Sequence, residues 1–493
     1  MLLTILLYFS LLLLISFLTG RNRSNSHFFL GSRRSLWYVV AIGMVGSSVS
    51  GVSLVSVPGM VLVSGFTYLQ VAMGFIIGYV VVALVLMPLY YKMNLTSIYG
   101  YLEKRFGPQT HRTGVWFFIL SKTVTSSVKM YIAALVLQRF VFEAYGVPMW
   151  VTVLLCVLII WLYTFRSGIG TIVWTDALQT LVLLTTIILM LFQVTKSLNL
   201  SLSETIQTIK DSPMSQVFEF DRISDRNFFK QFFSGIFIVI VMTGLSQDMV
   251  QSSLSCRTLR EAQKNMLCYG AAFVPFNLLL LSLGLLFIVF ADRHGITLPE
   301  KADEIVPLFA SKWLGYGVNV CFIIGILSAT FNSADSALTA IVTSLYVDIF
   351  KKGQTFEAYK TAYWHRTLLY LTVCFVFTLI TLAFHHIGNQ SILDTLYRLV
   401  GYAYGPLLGL FAFGILTRRL INDRLTPYIA IASPLLTYAF EAACLYFFNY
   451  HFGYELLLLN GTLTYTALFL SNNGIPAIAK QKTLRHKPPQ SRF

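Results

Sequence analysis

The sequence is poor in charge and lacks the motifs of common soluble enzymes. Only 12% of its 493 residues are Asp, Glu, Lys or Arg, whereas an ordinary soluble domain carries roughly 25%. So few charges cannot cover an aqueous surface, and a soluble multidomain protein is excluded. The sequence contains no Walker A motif, no glycine-rich phosphate loop and no HExxH spacing of histidines. We therefore predict neither ATP-driven work nor an enzyme, and no cofactor.

Apolar residues fill most of the chain instead. Hydrophobic residues make up 56% of the sequence, and the mean hydropathy is +0.70. Apolar runs of about 20 residues, the length that crosses the hydrocarbon core of a bilayer, recur along the chain. This pattern predicts an all-α polytopic membrane protein with about 13 transmembrane helices. The predicted spans are residues 2–19, 37–63, 67–91, 113–138, 148–165, 171–195, 229–253, 264–290, 316–346, 366–384, 392–416, 426–447 and 454–471.

The basic residues lie in the breaks between apolar runs. The formal net charge is +15, but a scattered excess of this kind indicates topology rather than nucleic-acid binding. With the N-terminus outside, 24 of the 36 Lys and Arg residues are cytoplasmic, nine are outside and three lie within spans. We therefore predict a multi-pass protein of the plasma membrane with its C-terminus in the cytoplasm.

Two of the predicted spans carry polar interruptions at mid-membrane depth. The second contains glycines and serines between Gly43 and Ser53, followed by Pro58, and the seventh contains polar residues from Thr243 to Ser253. Unwound backbone inside a membrane is tolerated only where it is covered by protein or lines a cavity. Two interrupted helices at matching places in two five-helix halves indicate an inverted-repeat transporter. Tight helix packing through small residues is the alternative.

The ninth predicted span is rich in oxygen ligands. Ala329, Asn332, Ser333 and Ser336 fall on one helical face, with Asp335 about 100° away around the helix. A carbonyl, a carboxamide and two hydroxyls are hard ligands suited to an alkali ion. A polar seam that hydrogen-bonds to neighbouring helices is the alternative.

Four charged side chains lie inside or at the ends of predicted spans. Lys122 and Lys129 lie on one stripe of the fourth span, with Thr125 between them. Asp176 and Asp335 lie in the sixth and ninth spans. Because such charges need partners, we predict that a lysine neutralises at least one aspartate, with Lys122 and Asp335 as the pair to test.

These residues resemble the sodium:solute symporter family, in a branch common in Bacteroidetes and related to proline, galactose and sialic-acid symporters. The resemblance covers essentially the whole chain and rests on residues 168–179, 247–251, 328–339 and 401–414. It implies one transmembrane domain, 1–493, with the leucine-transporter fold and alternating access. Its implied parts are an extra N-terminal helix at 2–19, inverted repeats at 37–195 and 229–416, two extra C-terminal helices at 426–471 and a basic cytoplasmic tail at 472–493.

The resemblance also implies ion sites. The family's shared sodium site falls on the backbone carbonyls of Gly46, Val49 and Ala329 and on the side chains of Asn332 and Ser333. Asn332 departs from the hydroxyl usual at that position, although a carboxamide oxygen still coordinates sodium. In the sialic-acid branch a second sodium uses positions that match Asp176, Asp335 and Ser336. Because Asp335 replaces a serine, that ion is either bound more strongly here or replaced by Lys122 or Lys129.

The same resemblance implies a substrate site near the two interrupted helices. Its predicted residues are Ser47, Ser50, Ser53, Thr125 and Gln247, with aromatic walls. The carboxylate-binding arginine of the sialic-acid carriers falls at Thr125, so their specificity is not carried over. Lys122 and Lys129 flank that position, which leaves an anionic solute open.

The function predicted from the sequence is sodium-coupled symport of a sugar, an amino acid or a carboxylate into the cell. The partners are the solute, Na⁺ and the bilayer, with no nucleic acid; a monomer is compatible with the sequence, which does not determine the oligomeric state. A proton-coupled symporter of the same fold and a solute sensor that does not transport are the alternatives.

Overall fold

The structure, a computed structural model, describes residues 2–19, 24–165, 168–221, 224–351, 359–384 and 392–471. These residues form helices joined mostly by short connections. The α-helices are α1 (Leu2–Thr19), α2 (Asn25–Leu30), α3 (Trp37–Ser48), α4 (Gly51–Ser64), α5 (Tyr68–Val81), α6 (Met87–Lys92), α7 (Gly100–Arg105), α8 (Pro108–Leu137), α9 (Met149–Thr164), α10 (Ile169–Ser197), α11 (Leu202–Asp211), α12 (Phe228–Val239), α13 (Gln247–Leu254), α14 (Leu259–His294), α15 (Ile305–Lys312), α16 (Gly315–Ser344), α17 (Tyr359–Phe384), α18 (Ile392–Leu416), α19 (Thr426–Phe448) and α20 (Leu456–Leu470).

The predicted membrane spans coincide with these helices. Within the described residues, nine helices are long and apolar enough to cross a membrane, and two further spans are bent helix pairs. The shorter apolar helices α9 and α20 occupy the two remaining predicted positions. The predicted basic tail and the basic residues Arg21, Arg23, Arg166 and Lys352 lie outside the described residues.

Some helices begin before the apolar run that predicted them. Pro108 opens α8 five residues before the predicted start, because proline suits the first helical position. Thr258 accepts a hydrogen bond from Glu261 N and starts α14 ahead of its apolar part. The polar ends of these helices project beyond the apolar core, which a hydropathy window does not detect.

The centre of the bundle is α16. It packs against α10, α8 and α3, and every residue from 325 to 344 is buried. Several of those residues are polar, and buried polar groups need bonding partners. Helix α19 lies at the periphery by contrast, with Tyr446 83% exposed. The polar interior of the molecule is therefore concentrated around α16.

Candidate functional site

The first interrupted span breaks between α3 and α4. The two helices meet at an angle of 58°, and Val49 (φ −83°, ψ 78°) and Ser50 (φ −73°, ψ 172°) leave the helical conformation. The carbonyl oxygens of Gly46 and Val49 accept no hydrogen bond from the described residues. Carbonyls freed in this way are available to a cation.

Helix α16 faces this break without interruption. Ala329, Asn332 and Ser333 are all buried, at 1%, 0% and 4% exposure. A Cβ atom added to Gly46 would lie 2.7 Å from Asn332 Nδ2 and 2.1 Å from Thr180 Oγ1 of α10. At Gly46, α3 therefore lies close against both α10 and α16, beside Asn332, a predicted sodium ligand.

The Asn332 side chain of α16 forms hydrogen bonds to both α3 and α10. Its Nδ2 donates to Asp176 O at 3.1 Å, and to Gly43 O and Thr180 Oγ1 at 3.4 Å each. Its Oδ1 accepts a hydrogen bond from Ser47 Oγ. The carboxamide oxygen that the sequence assigned to sodium is thus shared with Ser47 in this conformation, and as a ligand it would use its second lone pair.

The structure brings Asp176, Asp335 and Ser336 together. Asp176 Oδ2 accepts from Ser336 Oγ at 3.3 Å, and its Oδ1 is buried without a hydrogen-bond partner among the described residues. Asp335 accepts from Tyr163 OH at 2.7 Å and from Ser336 N at 2.5 Å. No lysine or arginine of the described chain forms an ion pair with either carboxylate. A buried acidic cluster of this kind requires a cation or a proton.

Lys122 has a different partner from the one predicted. Its Nζ forms a buried ion pair with Asp248 Oδ2 of α13, not with Asp335 or Asp176. Asp248 also accepts from Ser246 Oγ. The bend before α13 directs this carboxylate at α8, which spacing along the chain does not reveal. Sequence reasoning missed Asp248, although it lies within the polar interruption that was recognised.

Lys129 lies next to the predicted sodium ligands. Its Nζ donates to Ser333 Oγ at 3.2 Å. Lys129 keeps part of its surface accessible, whereas Lys122 is 7% exposed. The two lysines of the stripe therefore have different surroundings, one paired with a carboxylate and the other with a hydroxyl.

The predicted substrate residues do not all face one space. Ser47 is bonded to Asn332, Ser50 is buried at 2% exposure, and Ser53 is partly exposed. Thr125 Oγ1 donates to Ser121 O of its own helix at 2.8 Å. The Thr125 hydroxyl thus forms its hydrogen bond within its own helix. Of these four residues, Ser53 is the most accessible.

Gln247 is engaged elsewhere. Its Oε1 accepts from Ile98 N and its Nε2 donates to Thr96 O, both at 3.0 Å. These hydrogen bonds bind the Gln247 side chain to the backbone between α6 and α8, so it does not face a solute site. This geometry corrects the expectation that Gln247 contacts the solute in this conformation.

Aromatic residues border the first break. Ser48 forms a hydrogen bond with Tyr269 OH, and Tyr79 OH donates to the same hydroxyl at 2.8 Å. The rings of Tyr79 and Tyr269 are 4.5 Å apart. Ser48 is partly exposed, so this tyrosine pair lies beside accessible polar surface.

A second polar cluster lies where the α6–α8 connection meets the end of the α16 span. Asp348 accepts from Ser97 Oγ at 2.5 Å and contacts His111 Nε2 at 3.1 Å. Lys351 Nζ donates to Glu103 Oε1 at 2.8 Å, and this bond lowers the pKa of Glu103. The cluster adjoins a cavity of about 390 Å³ and links the α6–α8 connection and the start of α8 to the end of the α16 span. Its residues are scattered along the sequence, so no motif predicted it.

The second interrupted span breaks between α12 and α13 at 64°. Here the freed carbonyls are bonded: Tyr90 OH donates to Gly244 O at 2.8 Å, and Tyr99 OH donates to Leu245 O at 3.0 Å. The two breaks therefore differ in chemistry. Tyrosine hydroxyls satisfy the backbone at the second, whereas the first keeps free oxygens.

Removing the two tyrosine hydroxyls tests this difference. We expect the double variant Tyr90→Phe/Tyr99→Phe to lose about 1–3 kcal/mol of stability per hydroxyl, because each buried carbonyl loses its donor. Thermal unfolding of the purified protein measures the effect. Tyr428→Phe is the matched control, since Tyr428 is 72% exposed. A double variant as stable as this control would show that the hydroxyls do not support the break.

Known proteins with similar sequences are transporters. The family model described as "Sodium:solute symporter family" matches residues 28–424. The sodium/iodide cotransporter of Homo sapiens is 25% identical over 410 residues, covering 80% of this chain and 62% of its own length. The sodium/sialic acid symporter of Aliivibrio fischeri is 24% identical over 466 residues, covering 90% and 88%. The chain thus spans less than two thirds of the human relative.

A solved structure shares the fold. The substrate-bound, outward-open state of a Na⁺-coupled sialic acid symporter superimposes with a TM-score of 0.80 at 20% identity, covering 94% of this chain and 95% of the other. The fold is therefore the leucine-transporter fold, as the family resemblance implied.

Proposed function

The chain belongs to the sodium:solute symporter family, and on that premise we propose that it carries a small polar organic solute together with Na⁺ across a membrane by alternating access. The family and the relatives are transporters, which agrees with the prediction that the protein is not an enzyme. The candidate solutes are a sugar, an amino acid or a carboxylate. The carboxylate class agrees with the relative named for sialic acid, which carries a carboxylate group.

The observation that carries this proposal is the unbonded backbone at the first break. The carbonyls of Gly46 and Val49 have no donor among the described residues, and Asn332 of α16, the residue before Ser333, lies against Gly46. We assign the sodium site to these oxygens together with Ala329 O and Asn332 Oδ1. Oxygen ligands of this kind, neutral and flexible in number, suit a hard monovalent cation.

Sodium bound there would join α3 and α4 to α16. A ligand shifts a conformational equilibrium only by binding one state better than the other, and a sodium site built from two separate elements exists only while those elements are together. The solute site lies at the same break, so each ligand raises the affinity of the other by the same factor. Release on the side with little sodium then drives solute accumulation.

We assign the Asp176–Asp335–Ser336 cluster to a second cation. Two carboxylates meet there without a basic partner in the described chain, and Asp176 Oδ1 has no hydrogen bond. Uptake into proteoliposomes under separate sodium and pH gradients distinguishes this assignment from proton coupling. Counterflow of labelled solute distinguishes transport from sensing.

The proposed setting is the plasma membrane, with the N-terminus outside. This orientation is supported by the asymmetry of Lys and Arg between alternate breaks. The repeats at 37–195 and 229–416 each contain one bent span, α3–α4 and α12–α13. Fusing a reporter after α20 and measuring its accessibility from the cytoplasm tests this orientation.

Ser333→Ala tests the sodium assignment. We expect sodium stimulation of uptake to weaken by about tenfold, corresponding to about 1.4 kcal/mol, because the change removes a side-chain ligand without adding bulk. The measurement is the sodium concentration that gives half-maximal uptake. Ser344→Ala is the matched control, because Ser344 is a buried serine of the same helix outside the site. An unchanged sodium dependence in Ser333→Ala would remove Ser333 from the site.

A further inference from the structure

Lys129 is a basic residue with no carboxylate partner in the described chain. Its Nζ donates to the Ser333 hydroxyl at 3.2 Å, and no described carboxylate forms an ion pair with it. The nearby Asp248 is paired with Lys122. A charge inside a membrane protein without an opposite charge is costly, and such residues generally serve a function.

The position of Lys129 leaves it open to a ligand. Lys129 is partly exposed although its chain neighbours Val128 and Met130 are buried. Further along α8, Ile132 and Val136 line a cavity of about 310 Å³ together with Val55 of α4. The lining of this cavity on α8 begins at Tyr131, two residues after Lys129.

The rim of that cavity carries more basic than acidic groups. Its charged side chains are Arg139, Lys301, Lys312, Asp303 and Glu304. A local excess of positive charge raises the concentration of anions at a cavity entrance. The cavity that begins near Lys129 therefore carries a small excess of positive charge, with three basic and two acidic side chains.

Lys129 and sodium would share one oxygen atom. Ser333 Oγ accepts from Lys129 and is also the side-chain ligand assigned to sodium. Two cations on the same hydroxyl repel each other strongly in surroundings of low dielectric constant. Sodium binding thus favours moving the ammonium group away from Ser333, and an anion beside Lys129 removes the repulsion.

We propose that Lys129 binds the negative charge of an anionic solute, a small carboxylate, and that sodium binding at Ser333 releases Lys129 for this role. The inference rests on the proposed function and names its solute class. It also supplies a physical source for the coupling: without solute the ammonium competes with sodium, and with solute it does not.

A sodium titration tests the competition. The purified wild-type protein, Lys129→Met and Lys129→Arg are titrated with NaCl at constant ionic strength, and the melting temperature is recorded without solute. We expect the apparent sodium affinity of Lys129→Met to rise by about 5–150-fold, the usual range of coupling between two sites, and that of Lys129→Arg to stay near the wild-type value. An equal or weaker sodium affinity in Lys129→Met overturns the inference.

A solute panel tests the anion. Acetate, lactate, pyruvate and N-acetylneuraminate are compared with neutral amide analogues in the presence of sodium. The expected result is stabilisation by a carboxylate, absent for its neutral analogue and absent in Lys129→Met. A sodium-dependent hit from a neutral solute that Lys129→Met retains contradicts the inference. The sodium titration is decisive whether or not the panel contains the solute.

The two proposals fail in different ways. If sodium does not shift the melting temperature of the wild-type protein, the proposed function and this inference fail together. If sodium stabilises the wild-type protein and Lys129→Met equally, only the role of Lys129 fails. Lys129→Met is expected to fold because removing Lys129 leaves no carboxylate without its partner.

Discussion

Replacing Lys122 with methionine is expected to destabilise the protein by about 3–5 kcal/mol, because it leaves Asp248 charged and buried without a partner. Lys122 and Asp248 are 7% and 2% exposed, and their side chains form a direct ion pair. Thermal unfolding of the purified protein measures the loss. The double variant Lys122→Met/Asp248→Asn should recover most of it, since neither charge is then left alone.

Two controls make this result specific. Lys129→Met removes a lysine from the same helical stripe but breaks no ion pair, and its stability should stay near that of the wild-type protein. Lys122→Met/Asp335→Asn should remain as unstable as the single variant. Rescue by Asp335→Asn instead of Asp248→Asn would contradict the pairing seen in the structure.

Gly46→Ala is expected to be the most damaging small substitution at the first break. The added methyl group would lie 2.1 Å from Thr180 Oγ1 and 2.7 Å from Asn332 Nδ2, so either these two side chains must shift or α3 must move away from α10 and α16. Overpacking of this kind costs about 1–3 kcal/mol. If the displacement falls on the sodium site, affinity drops by about 5–150-fold, at 1.4 kcal/mol per tenfold.

Glycine substitutions elsewhere provide the comparison for Gly46→Ala. Gly317 is also helical, and a Cβ atom added there meets nothing within 4 Å, so Gly317→Ala should leave sodium-dependent uptake unchanged. The double variant Gly46→Ala/Thr180→Ala should recover part of the loss, because it removes the nearest obstructing atom. Normal sodium dependence in Gly46→Ala would show that the close contact of α3 with α16 is not required.

The fold could largely be predicted from the sequence because membrane spans and their interruptions are local properties. The glycines and serines between Gly43 and Ser53 predicted the first break, and the structure bends there. The polar residues after Thr243 predicted the second. Both signals come from residues that destabilise a helix at their own position. Such residues can be recognised in a single sequence.

The side-chain partners could not be predicted in the same way. Lys122 pairs with Asp248 because the bend before α13 directs that carboxylate at α8. The angle of this bend cannot be predicted from the spacing of residues along the chain. Gln247, the residue before Asp248, binds backbone groups of the α6–α8 connection instead of facing the solute site. Asn332 was identified as an oxygen ligand, but its bonds to α3 and α10 follow from the packing around Gly46.

Sodium binding between the first break and α16 is tested by determining the structure once in sodium and once in potassium. We expect a density present only in sodium, in contact with the carbonyl oxygens of Gly46, Val49 and Ala329 and with Ser333 Oγ. A sodium-dependent density confined to Asp176 and Asp335, or none near the break, would contradict it.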